Sequence, residues 1–327
     1  MLGRLISRFS GAAPTARVDW HPRAGAACTL LADGDWPGLA EMVAAETPSG
    51  AVTLLRALGR DTERDASLRA LPERSEEMAV FGAVLVGWAW QHRGFGTADE
   101  VADDAWAPFY ETLDQAITAL LPAARADRHD GVSLAFLIRA ATGAQQEGLL
   151  EEAGDLFLRA RRRPLEGACW LMQGRGAKWG GSHAAMDRVV ETLLLDDDLH
   201  PARVALEARA LIERWLYDGR MAGDAATQLR GQALFALRET AERVEAISEN
   251  YARLMSVWDE GADDPAAEGF AHDNIGLAAV LAKRWDVART HVEALGDTPS
   301  EWPWVYSLGT DVSARWAGLQ RRVARGR

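Results

Sequence analysis

From Gln232 to Glu260 the chain runs without a glycine or a proline. Across that stretch Leu234, Leu237, Ala241, Val244, Ile247, Tyr251, Leu254 and Trp258 return every three or four positions. Residues at that spacing share one face of an α-helix, whereas a strand needs strict alternation. The spacing predicts one long helix, with a break near Ser248 as the alternative.

The same periodicity fills the rest of the chain, and no stretch keeps an apolar/polar alternation bounded by turn pairs. The expected fold is all-α: antiparallel helix pairs packed as an irregular, tetratricopeptide-like (TPR-like) α-α superhelix. Residues 1–18 are expected to be a flexible N-terminal segment, in which Leu2, Leu5, Ile6 and Phe9 share one face. Residues 19–327 are expected to form a single helical repeat-like domain.

Glycine and proline punctuate the predicted helices. Short helices are expected over Pro22–Ala32, Trp36–Ala45, Ala51–Leu58 and Glu63–Leu71. Ser75 is the expected N-cap of a strong helix carrying Met78, Phe81, Leu85 and Trp88 on one face and ending at Arg93-Gly94. Val101–Ala124 should follow, then a hairpin of Ser133–Ala141 and Gly148–Arg162. Ala153, Phe157, Ala160 and Pro164 fall near the spacing of the second half of a tetratricopeptide repeat, in which small residues let helices approach. Gly276, Ala279, Ala288, Val292 and Leu295 make a second, degenerate copy.

Charge and motifs narrow the function classes. The net charge of −12 disfavours nucleic acid and anionic lipid as partners. The basic run Arg159 to Arg163 reads as a solvated helix end. No segment approaches a membrane span. Cys28 and Cys169 stand alone in apolar contexts and are expected to be reduced, which suits the cytoplasm. The seven histidines make no helix-borne metal pattern, and no phosphate-binding or dinucleotide fingerprint is present. No metal and no cofactor is expected.

Two places carry candidate chemistry. Lys178, Trp179, Gly180, Gly181, Ser182 and His183 form a loop that opens a helix, and Lys178 is one of only two lysines, with Lys283. The glycines permit unusual backbone angles, Ser182 can cap the helix, and free N–H groups beside Lys178 would suit a carboxylate or phosphate. The competing reading is a tight structural turn with Trp179 buried beneath it. Trp88, Trp90 and Arg93 form the second cluster, a candidate interaction surface in which arginine can stack on indole.

Trp88 with Arg93-Gly94, the Ala153/Phe157/Pro164 hairpin, the Lys178 to Ser182 run with Met186, and the segment from Asn274 to Trp302-Pro303-Trp304 resemble the bacterial domain of unknown function 4034 family. The resemblance covers scattered blocks between Val80 and Trp304, with the Lys-Trp-Gly-Gly-Ser run its most specific element. It implies a tetratricopeptide-like helical protein and supplies no activity. The expected function is a cytoplasmic scaffold or adaptor that binds a protein partner. The alternative is an enzyme or small anionic-ligand binder that uses the Lys178–His183 loop.

Overall fold

The computed structural model describes residues 16–17, 19–62, 71–94, 96, 98, 100–126, 130–235, 238–258 and 264–326. The amphipathic Met1–Phe9 segment and nearly all of the Glu63–Leu71 helix expected above lie outside the described residues. Ala16 and Arg17 are already tied down. The Ala16 carbonyl accepts from Ser313 Oγ at 2.6 Å, and the Arg17 N–H donates to Asp297 O at 2.8 Å. The chain is therefore held ahead of the boundary expected at residue 18.

Sixteen α-helices and no strand occur among the described residues, so the fold is all-α. They are α1 Ala24–Asp33, α2 Trp36–Ala44, α3 Pro48–Asp61, α4 Ser75–Arg93, α5 Asp103–Ala126, α6 Gly131–Gly143, α7 Glu147–Arg159 and α8 Leu165–Gly174. The second half of the chain adds α9 His183–Leu194, α10 Ala205–Leu216, α11 Ala225–Phe235, α12 Arg238–Met255, α13 Pro265–Leu281, α14 Trp285–Leu295, α15 Glu301–Leu308 and α16 Val312–Ala324.

One expectation shifts, and another falls partly outside the described residues. Of the long helix predicted over Gln232–Glu260, the described residues show helix up to Phe235 in α11 and from Arg238 to Met255 in α12, while residues 236–237 lie outside the described residues. Ser75 is the first residue of α4 and not its cap. Here the Glu77 carboxylate reaches back to accept the Glu73 and Arg74 N–H groups at 3.2 and 3.3 Å.

Alternate helices face inward. α3, α6, α8, α10 and α13 pack on one another in a closed sequence, α3 against α6, α6 on α8, α8 on α10, α10 on α13 and α13 back on α3. Their partners α5, α7, α9, α12 and α14 lie outside. α6 carries twelve buried residues and a single charge, Arg139. A helix apolar on every side must be covered on every side, which places it centrally.

Polar caps stitch the closure. Asp264 caps α13 through the Ala267 N–H at 3.2 Å and also accepts from Thr47 Oγ1, at the start of α3, at 2.8 Å. Ser49 Oγ accepts from the Leu165 N–H at the start of α8 at 3.2 Å. Buried donors and acceptors left unmade are costly, so these bonds fix the relative positions of three inner helices. Where α3 crosses α4, a Cβ on Gly59 would sit 2.7 Å from the Gly87 Cα, so only glycine permits that approach.

Candidate functional site

The inner helices enclose a cavity of about 1440 Å³. Its wall draws on residues from Asp19 to Thr310, and both candidate clusters from the sequence contribute to it. Trp90 and Arg93 come from the end of α4. Lys178 and Trp179 come from the short 3-10 turn Ala177–Trp179 after α8. The structure brings these four side chains together from positions about 90 residues apart in the chain.

Aromatic edges organise the wall. The Trp179 and Trp90 rings meet at 5.8 Å in a T, and Trp90 meets Phe109 at 5.3 Å in the same way. Trp106, Trp170 and Trp302 also line the cavity, so five of the thirteen tryptophans face it. The indole N–H groups of Trp90 and Trp179 are buried and have no hydrogen-bond partner. Trp179 is half-buried and packs towards Trp90 at the cavity, whereas the structural-turn reading has it buried beneath the loop.

Four cations in the wall make no ion pair with a carboxylate among the described residues: Arg93, Arg139 and Lys178, which lie among the cavity's aromatic rings, and the exposed Arg220, whose guanidinium lies 5.1 Å from the Trp215 ring centroid. The Arg139 guanidinium lies 3.5 Å from the Trp90 ring centroid, and among the described residues no hydrogen bond or ion pair holds it. Arg93 stacks between Trp90 and Trp106 at 5.5 and 5.6 Å and donates to the carbonyls of Gly94 and Gly96 at 3.3 and 3.0 Å. Lys178 Nζ lies 3.4 Å from the Tyr306 hydroxyl and 5.3 to 5.9 Å from the rings of Tyr306, Trp179 and Trp302.

The remaining cations in the wall are already paired. Arg56 meets Asp19 at 3.0 Å, and Arg209 meets Glu213 at 2.9 Å with both side chains buried. Glu213 Oε1 also accepts from Gln173 at 2.6 Å and from the Tyr306 hydroxyl at 3.3 Å. A continuous polar chain therefore runs Lys178, Tyr306, Glu213, Arg209, Asn274, closing with an Arg209 to Asn274 bond of 3.3 Å.

Burial sets the ionisation of this set. It lowers Lys178 to about 8; Glu213 opposes the shift, and Arg139, Arg209 and Arg93 reinforce it. Burial pushes the Arg139 guanidinium below the ordinary arginine range, because no anion compensates it. Burial also pushes Glu213 upward, but Arg209 and Lys178 outweigh that and hold it below the usual carboxylate range. On the opposite flank burial raises Glu166 to about 8 and Glu301 to about 7. Glu166 therefore cancels little of the positive charge near neutrality, and Glu301 only part of it.

The loop itself is organised differently from the sequence expectation. The Ser182 N–H donates to Arg175 O and the Gly181 N–H to Gly176 O, both at 3.1 Å, so these amides are spent on the chain. A Cβ on Gly181 would lie 2.1 Å from the Arg175 carbonyl, which explains the glycine. Ser182 does cap α9, accepting from the Ala185 N–H at 3.1 Å, but it lies outside the cavity wall. His183 also lies outside the wall, bonded to Asp218 at 2.9 Å. Asp218 belongs to the π-helical turn Tyr217–Met221, whose Gly219, Arg220 and Met221 line the cavity. Gly180 and Gly181 are exposed and mark the rim.

Trp88 stands apart from the site. It is 1% exposed, and its indole donates to Thr62 Oγ1 at 3.0 Å, so it is a core residue. Sequence reasoning missed Arg139, Arg209 and Tyr306. Arg139 had a legible signal: it is the one charge in an otherwise apolar helix. Among the described residues no cluster of histidine, cysteine and acidic groups is arranged to hold a metal, and no helix is long and apolar enough to cross a membrane.

No family model, curated protein or solved structure matches the chain.

Proposed function

We propose that the chain binds a small anionic molecule with a flat or apolar body in its central cavity. The observation that carries this reading is the trio Arg93, Arg139 and Lys178, half-buried among tryptophans with no carboxylate paired to them. An uncompensated charge in a site of low polarity is costly, and a ligand anion is the compensation the wall lacks. The rings supply apolar surface with defined faces. At about 1440 Å³ the cavity exceeds the roughly 300–1,000 Å³ of ordinary ligand pockets, so a small ligand fills part of it beside water.

Thermal-shift and calorimetric titrations test this with matched pairs of carboxylates or phosphates and their uncharged analogues. The charged member of a pair should bind and the neutral one should not. Arg139→Met should weaken binding about 10-fold or more, the value of one charge-assisted hydrogen bond. Equal response to both members would remove the proposal.

The scaffold reading keeps one observation of its own: on α11, Leu229 and Leu234 are 68% and 57% exposed. It goes with the proposal of a cytoplasmic, tetratricopeptide-like protein related to the domain of unknown function 4034 family, supported by the acidic charge, the free cysteines and the repeat-like spacing. Changing both leucines to glutamate should abolish capture of a protein partner if α11 is the docking face.

A further inference from the structure

Lys178 is placed unlike an ion-pairing lysine. Its Nζ has the Tyr306 hydroxyl as its polar neighbour, rings of Trp179, Trp302 and Tyr306 around it, and no carboxylate in contact. A lysine meant to hold an anion by charge is best kept as a hydrated or paired ammonium. This one is desolvated, and although Glu213 opposes the shift, burial with the field of Arg139, Arg209 and Arg93 moves it towards the free amine. The arginines remain to hold a ligand's charge, and the amine remains to act as a nucleophile.

From this juxtaposition, and resting on the anion-binding reading above, we propose that the cavity takes a small oxo acid and that Lys178 condenses with its carbonyl carbon to form an imine. The carboxylate pairs with Arg139 and Arg93, and the carbonyl lies towards Nζ. The Nζ lone pair forms the new C–N bond while the C=O π pair moves to oxygen. Nitrogen gives up its two hydrogens, the oxygen takes both, and it leaves as water with the old C–O bond. Nothing is oxidised or reduced, and hydrolysis reverses the step. Tyr306, 3.4 Å from Nζ and 3.3 Å from Glu213 Oε1, is the group placed to pass protons between nitrogen and oxygen.

The chain has two lysines, so the product can be located cleanly. The full-length protein is incubated with pyruvate, 2-oxoglutarate or phenylpyruvate, reduced with sodium borohydride, and mapped by peptide mass. Thermal shift with the same acids and with lactate, which lacks the carbonyl, is read in parallel. The expected result is one reduced adduct on the Lys178 peptide with at least one of the oxo acids and none on Lys283. The adduct should be lost in Lys178→Arg, and Tyr306→Phe should form it more slowly while keeping its thermal shift. A thermal shift without an adduct overturns the imine and leaves anion binding standing. Neither shift nor adduct overturns both, and equal labelling of Lys283 or of the Lys178→Arg protein overturns the imine alone.

Discussion

Arg139→Met separates a residue kept for the fold from one kept for a ligand. Arg139 sits in α6, among twelve buried neighbours, with its guanidinium 3.5 Å from the Trp90 centroid and no anionic partner. Removing it gives up a cation–π contact worth about 2 kcal/mol when desolvated. It also relieves the penalty of holding an unpaired cation away from bulk water, several kcal/mol or more even after relaxation. Cavity water recovers part of that penalty. Methionine keeps the unbranched stem, so little packing is lost.

The net expectation is a gain of about 1–3 kcal/mol in the unliganded protein. For 327 residues, at roughly 2.1 cal/mol/K per residue, that is a rise of about 2–4 °C in melting temperature. Differential scanning calorimetry at pH 7 with and without a binding anion reads both effects. The variant should melt higher alone and lose the ligand-induced shift. A variant that melts several degrees lower without ligand would refute the reasoning, because it would mean the fold itself already compensates the charge.

Four further outcomes follow from particular contacts. Ser182→Ala removes the side-chain cap of α9 and should cost about 1 kcal/mol in denaturant unfolding, without changing anion binding. Gly59→Ala should destabilise by about 1–3 kcal/mol, despite a helix-propensity gain of about 1 kcal/mol, because its Cβ meets the Gly87 backbone at 2.7 Å; a raised melting temperature would contradict this. Trp304→Phe should cost about 2–4 kcal/mol, since it strips the buried Asp273 carboxylate of an indole donor at 2.7 Å and leaves a gap beside Trp316. Acylation of Lys178, followed by peptide mass, should rise with pH to half its plateau near pH 8, because the neutral amine reacts and burial lowers its titration to about 8; half-reaction only above pH 10 would contradict the desolvated environment.

Much of the helical layout was legible because spacing and punctuation are local signals. Ser182 could be recognised as a cap from the Gly-Gly pair before it and the apolar spacing after it. Lys178 stood out because lysine is scarce in the chain. The direction of Trp179 was not legible, since its choice between α9 and Trp90 depends on a helix about 90 residues away. The same limit hid Tyr306 and Arg209, which are ordinary residues on amphipathic helices until closure faces them to Lys178. The loop amides misled for a different reason. Their partners are the carbonyls of Arg175 and Gly176, and backbone carbonyls leave no trace in a residue code.

The cavity wall takes residues from Asp19, ahead of α1, to Thr310, just past α15. A pocket assembled this way has no precursor in a nascent chain. While the ribosome is still adding α15, Lys178 has no hydroxyl beside it, and Glu213 still lacks one of its donors. The unpaired arginines then face open water and cost little. On the anion-binding proposal, competence to bind arrives in one late event. Once a ligand is seated, amide hydrogens in helices far apart in sequence should slow their exchange together, as one cooperative unit.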